Sequence, residues 1–339
     1  MVPCMAECHA QLLTGQPSGE PNSGPDATTQ RSKETTMKNQ TAKSLVVILA
    51  LVLGMACVQS APAQSFKKAK VALSAPIVQV ASGGASAWAL ASNGNPYRFN
   101  GKTFVLANTI SLSQIAVGGG NAAQADAVWG LNSSGSIFRA SKSGTSWIFS
   151  QVPGLLDLIE VGPGYQDGCH PYEVWGLNTG SQIYRYNFCG NSFEQQPGFL
   201  CDIRVGGGDI WGAQCGPNVF RFNFSTGVFD PINSPFVAFP ELTVGPNGEV
   251  WVTDTGTSGD LYRYDPFFGG FRHIVCCAST VQAGGDGVWA LSGNNVYRSE
   301  PNTLNFVQVP GSLVSISVGS GGGVWGTNSS HQVFAFSTP

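Results

Sequence analysis

Seven times, at intervals of 36 to 46 residues, a tryptophan stands inside a short apolar run: Trp88, Trp129, Trp175, Trp211, Trp251, Trp289 and Trp325. Around Trp175 the run reads Val174, Trp175, Gly176, Leu177, Asn178. It follows Ile159, Glu160, Val161, Gly162 and precedes Ile183, Tyr184, Arg185. A period near 40 is about the length of one propeller blade of four short strands. Helical repeats of that period require a 3.6-residue apolar pattern. Between the tryptophans there is none, and Gly, β-branched and aromatic residues dominate. The expected fold class is therefore all-β, a seven-bladed β-propeller of four-stranded antiparallel blades.

Each copy divides into four strands separated by turn residues. In the sixth copy these are Thr280 to Ala283, Val288 to Leu291, Val296 to Ser299 and Asn305 to Val309, with Gly and Asn where hairpin turns need positive φ. The last copy ends at Pro339 before any fourth strand. Lys70 to Ser74, whose Val71, Ala72, Leu73 resemble Phe306 to Val309, is expected to supply it. An N-terminal strand joining the last blade closes the ring and removes two open sheet edges.

The first 63 residues differ in kind. Residues 1–36 are rich in Ser, Thr, Pro, Gly and Gln with no apolar period, and read as a disordered upstream start. Residues 37–63 read as a signal peptide: Met37, then Lys38 and Lys43, the apolar run Leu45 to Val58, and Ala61, Pro62, Ala63 as the cleavage signature. The 14-residue run is short of the roughly 20 residues that span a bilayer, so no membrane span is expected. Residues 64–339 are the propeller, expected to be secreted or periplasmic and monomeric. With charged residues at 11% and a formal net charge of -3, the chain carries no electrostatic footprint for nucleic acid.

Six cysteines follow the signal segment: Cys169, Cys189, Cys201, Cys215, Cys276 and Cys277. An even number in an exported chain reads as disulfides before metal. Strand placement pairs Cys169 with Cys189 on one rim and Cys201 with Cys215 on the other. Cys276 and Cys277 form an adjacent-residue disulfide or stay as buried thiols. No metal spacing and no cofactor motif is present.

The tryptophans read as the packing between blades, the structural repeat core. Six copies carry an arginine in the third strand: Arg98, Arg139, Arg185, Arg221, Arg263 and Arg298. Either its stem packs while its head finds carbonyls or a carboxylate, or the arginines form a ring of sugar-binding groups.

The pattern Ile-Ser-Val-Gly, Val-Trp-Gly with Asn two residues on, then Ile-Tyr-Arg resembles the tectonin β-propeller repeat from Val71 to Phe336. Trp147 with Val152, Pro153, Gly154, Leu155 matches that family's fourth strand. Tectonin propellers are commonly six-bladed, so seven copies is a departure. The resemblance implies a lectin-like module for a glycan or lipopolysaccharide. One copy, Val244 to Trp251, is similar instead to streptogramin-lyase-type repeats, which defines an enzyme alternative.

Propellers place function on their longer loops. The loop Gly162 to Glu173 carries Tyr165, Asp167, His170 and Tyr172. On the same rim Asp265 and Pro266 precede Phe267 and Phe268. Aromatic rings beside carboxylates suit sugars, whereas Tyr165 and Tyr172 in a self-packed loop merely cover its small core. Catalysis has little support. His170, His273 and His331 lie in three copies, no Gly-x-Ser-x-Gly elbow exists, and Asp254 with Asp260 flank a Gly-rich turn of the kind acids cap. The expected function is non-catalytic binding of a glycan or other cell-surface component. The alternative is a structural or protein-binding propeller, and a lyase-like enzyme ranks third.

Overall fold

The computed structural model describes residues 64–72, 75–119, 126–164, 168–301 and 303–337. They form seven sheets, each built on an antiparallel meander of sequential strands. The third blade is typical: Leu158–Pro163, Tyr172–Leu177, Gln182–Asn187 and Ser192–Phe199. In it Trp175 stands opposite Glu160 on one side and Arg185 on the other. Cross-strand partners share a face, so the first-strand residue, the tryptophan and the arginine all point toward the following blade.

That direction explains why the tryptophan recurs. All seven are buried, at 0–8% exposure. Each meets an aromatic ring of the next blade: Trp129 meets Tyr186 at 4.8 Å, Trp175 meets Phe222 at 4.8 Å, and Trp211 meets Tyr264 at 4.8 Å between centroids. These edge-to-face contacts join sheets that share no hydrogen-bond ladder. The core is accordingly a ring of separate seam clusters, such as Trp175 and Leu177 packed with Leu200, Ile203 and Ile210.

The last seam and the ring closure correct one expectation. The strand completing the seventh blade is Ser65–Lys68, antiparallel to Val333–Ser337, not Lys70 to Ser74. Phe66 decides this, because its ring lies 5.7 Å from Trp289 and 5.4 Å from Phe336, where a fourth-strand aromatic sits in other blades. Lys70–Val71 instead adds a short parallel edge to the first blade beside Thr103–Leu106, and residues 73 and 74 lie outside the described ones.

The glycine two residues beyond the first-strand partner of each tryptophan has a steric cause. A Cβ on Gly118 would land on the carbonyl of Val161, one on Gly162 on Val205, one on Gly206 on the carbonyl of Val244, and one on Gly284 on Val318. The innermost strands converge there, and only hydrogen fits between neighbouring blades. Convergence leaves a central cavity of about 410 Å³ lined by the first strands.

Candidate functional site

Two surfaces gather the residues that the sequence singles out, and the central cavity adds a third group. On the rim of the third blade, the loop before Tyr172 is fastened to the turn after Phe188 by the Cys169–Cys189 disulfide, whose Cα atoms are 5.2 Å apart. Phe188 N–H donates to the Cys169 carbonyl at 3.2 Å. His170 is buried within this loop, and Tyr172 is half-buried with its ring 4.6 Å from Phe188. Burial raises the Tyr172 phenol above its ordinary value against the opposing pull of Arg139. Tyr172 thus packs onto the seam cluster around Trp129 of the preceding blade. Tyr165 and Asp167 lie outside the described residues.

The fifth blade carries the second surface, the turn between Asp260–Asp265 and Gly270–Val275. Asp265 accepts from the amides of Phe267 at 2.9 Å and Phe268 at 3.3 Å, and its other oxygen meets Arg272 at 2.6 Å. Against partial desolvation, these donors hold the Asp265 carboxyl below its usual range. The Arg272 guanidinium lies 5.5 Å over the ring of Phe268. So fixed, the turn holds Phe267 fully in solvent, at 101% exposure, and Phe268 at 61%. The fourth blade separates this turn from the third-blade loop, so among the described candidates His170 and Tyr172 lie apart from Phe267 and Phe268.

The central cavity holds charges that motif reasoning missed. Arg204, on the first strand of the fourth blade, pairs with Glu160 of the third at 2.6 Å and Asp202 of its own strand at 3.1 Å, and donates to the Leu242 carbonyl of the fifth at 3.0 Å. Burial, opposed by Arg204, raises the carboxyls of Glu160, Asp202 and Glu241. Burial also works against the Arg204 charge, but Asp202 and Glu160 hold it protonated beyond its ordinary value. At the first-strand position of Asp202, two residues before that of Arg204, the first two blades carry amides. Gln79 both donates to and accepts from the Ile115 backbone, at 3.0 Å each way, and Gln114 does the same with Ile159. This inner belt clamps each blade to the next, and Arg204 is its ionic version spanning three blades. The signal in the sequence was the exchange of Gln or Ala for charged residues at matched first-strand positions.

The remaining candidates serve the turns and seams. Third-strand arginines find carboxylates: Arg185 pairs with Glu173 at 2.6 Å, Arg221 with Asp209 at 2.8 Å, and Arg298 with Asp286 at 3.0 Å. Each also stacks on the tryptophan of its own blade, at 5.6 Å for Arg185 and 5.9 Å for Arg221. Asp254 caps its turn, accepting from Val237 N at 3.0 Å and Gly256 N at 3.0 Å. Cys201 and Cys215 are bonded, with Cα atoms 5.2 Å apart. The sulfurs of Cys276 and Cys277 lie 2.8 Å apart, with Cys277 at φ +78°. Among the described residues, no group of three or more His, Cys, Asp or Glu is arranged to hold a metal, and no helix is long and apolar enough to cross a membrane.

Similarity to solved structures is confined to the fold. The propeller titled "YCF48 bound to D1 peptide" superposes with a TM-score of 0.59 at 15% identity, covering 83% of this chain and 100% of that one. YCF48 from Cyanidioschyzon merolae gives 0.57 at 13%, covering 80% and 98%. No curated protein matches the sequence. The Tectonin domain family model matches residues 64–230 and 237–338, across all seven blades and their aromatic seams. The chain belongs to the tectonin domain family.

Proposed function

We propose that this protein is an exported, non-catalytic recognition propeller that binds a polypeptide segment across the rim carrying Phe267 and Phe268. The observation that carries this reading is the full exposure of Phe267 beside a half-exposed Phe268, on a turn that Asp265 and Arg272 hold rigid. Large apolar rings kept in water on a fixed turn mark contact surfaces, and pre-ordered aromatic anchors lose little entropy on binding. A propeller of similar fold has been solved with a peptide bound. Export rests on the signal segment from Met37 with cleavage near Ala63, and the disulfides suit an oxidising compartment.

A glycan is the second reading. The Phe268 ring lies under the Arg272 guanidinium, which itself pairs with the Asp265 carboxylate, and an aromatic ring beside a carboxylate is a common way to hold a pyranose. A phage-displayed peptide library and a glycan array, each probed with the wild type and a Phe267→Ser/Phe268→Ser variant, separate the two. Peptides enriched on the wild type and lost from the variant, at unchanged melting temperature, support the polypeptide reading. Selective glycan binding with no enriched peptide overturns it.

A further inference from the structure

The formal net charge of -3 conceals a split between blades. From Asp126 to Glu300 the chain carries sixteen Asp and Glu against eight Lys and Arg. Between Gln64 and Ala125, and again after Glu300, it has no acidic side chain, yet it holds Lys67, Lys68, Lys70, Arg98 and Lys102. Those two stretches contain the whole of the first and seventh blades, which ring closure makes neighbours. The charged side chains of these two blades are all basic.

Four of the five converge. Ser65–Lys68 is the outer strand of the seventh blade, and Lys70–Val71 is the outer strand of the first. Ala69 alone separates the two strands, so Lys67, Lys68 and Lys70 lie within the roughly 10 Å that three residues can span. Lys70 is in register with Thr103, whose hydroxyl donates to the Lys70 carbonyl at 2.9 Å, and Lys102 directly precedes Thr103 in the turn between the third and fourth strands. All four lysines are exposed. Their spacing is comparable to the Debye length, about 10 Å at 0.1 M salt, so their fields add.

Among the described residues none of the four is in an ion pair, whereas Arg185, Arg204, Arg221, Arg272 and Arg298 each meet a carboxylate. The acids nearest along the chain are engaged elsewhere. Asp126 accepts from Gly84 N at 2.7 Å and Ser86 N at 2.8 Å, and Glu300 accepts from the Asn305 side chain. Lysines on edge strands also block edge-to-edge pairing. That role sets no condition on acids, and it leaves Lys102, in a turn, unexplained. Half a turn round the ring, the outer strands of the third and fourth blades expose Glu194 and Asp230.

We propose that the outer edge of the seventh and first blades docks on a bilayer surface rich in anionic lipid headgroups, with the third and fourth blades turned away. Lysines on flexible stems, spread along two strand edges, suit a field of headgroups better than a single bidentate anion. An uneven charge distribution orients the molecule even where its net charge is repelled. The leader reading adds to this: cleavage near Ala63 lies four residues from Lys67, so this edge is held nearest the bilayer until cleavage.

The test mixes the exported chain, from Gln64, with vesicles of phosphatidylcholine alone or with an equal part of phosphatidylglycerol, and reads binding by co-sedimentation. The wild type binds the anionic vesicles at low salt, binds phosphatidylcholine at least about tenfold more weakly, and is released by about 0.5 M salt. Lys102→Gln weakens binding about fivefold, the scale of one lysine at an anionic surface, whereas Lys142→Gln, the same charge change on the second blade, changes it less than about twofold. A Lys67→Gln/Lys68→Gln/Lys70→Gln/Lys102→Gln variant loses binding at an unchanged melting temperature. Equal binding by this quadruple variant and the wild type overturns the proposal, as does equal binding to both vesicles. Binding of poly-glutamate with none to anionic vesicles assigns the edge to an acidic polypeptide and overturns the bilayer. The Phe267→Ser/Phe268→Ser variant keeps full vesicle binding, and loss of binding in it overturns the assignment to the lysine edge.

Discussion

Arg204 Nη1 donates to Glu160 Oε1 at 2.6 Å across the seam between the third and fourth blades, and its Nε donates to the Leu242 carbonyl of the fifth at 3.0 Å. One side chain therefore ties three consecutive blades at their innermost strands. Arg204→Met leaves Glu160 and Asp202 without their counter-charge. We expect a loss of roughly 2–4 kcal/mol, toward the low side for a broken buried pair because Arg204 and Glu160 keep some solvent access. Denaturant unfolding at neutral pH checks this. A Glu160→Gln/Arg204→Met double variant should recover part of the loss, because one of the stranded charges is gone.

The same cluster sets a pH dependence. Burial lifts Glu160, Asp202 and Glu241 above the ordinary carboxylate range. The folded protein holds these protons at pH values where the unfolded chain has released them. Their contribution to stability is thus complete below the ordinary range and is lost as pH rises through the raised folded values. Glu241→Gln should melt higher than the wild type at pH 7, with the gap closing as pH falls toward about 4. Thermal scans of the two proteins across that range are the check, and a constant gap refutes the assignment.

Closure depends on Phe66 and only weakly on the strand beyond it. Phe66 packs between Trp289 and Phe336, whereas Val71 lies on an added edge of the first blade. We expect Phe66→Ala to cost about 2–4 kcal/mol and Val71→Ala about 1 kcal/mol. Equal losses in parallel denaturation curves would return the closing role to the Lys70 segment.

Gly118 tests the inner ring. A methyl group there meets the Val161 carbonyl of the next blade, whereas one on Gly168 meets nothing within 4 Å. Gly118→Ala should destabilise by about 1–3 kcal/mol through overpacking. Gly168→Ala should leave the melting temperature within a degree or two, the scale of a few tenths of a kcal/mol.

The fold was legible because its evidence is local and repeated. Trp175 with its flanking Val174 and Gly176 states the second strand in full, and turn residues bound each strand on both sides. The closing strand was misplaced for the same reason: Phe66 and Val71 both sit in short apolar stretches, and three or four residues of pattern do not say which ring a partner blade will accept. Of the candidate site, Phe267 and Phe268 could be foreseen as exposed, since Asp265, Pro266 and Gly269 specify a tight turn that points its middle residues outward. The packing of Tyr172 onto Phe188 and the Trp129 seam could not, because it depends on where the closed ring and the Cys169–Cys189 bond draw the loop.

By itself, then, the sequence determined the blade, the number of blades and the identity of the seam tryptophans. Each of these follows from two-residue alternation, turn chemistry and a period near 40. Only the tertiary structure decided which charges meet across the seams. Arg204 and Glu160 are 44 positions apart and touch because neighbouring first strands converge on the axis. A repeat writes its internal packing into every copy, but what one copy presents to the next is fixed by the closed ring, where all seven seams must fit at once.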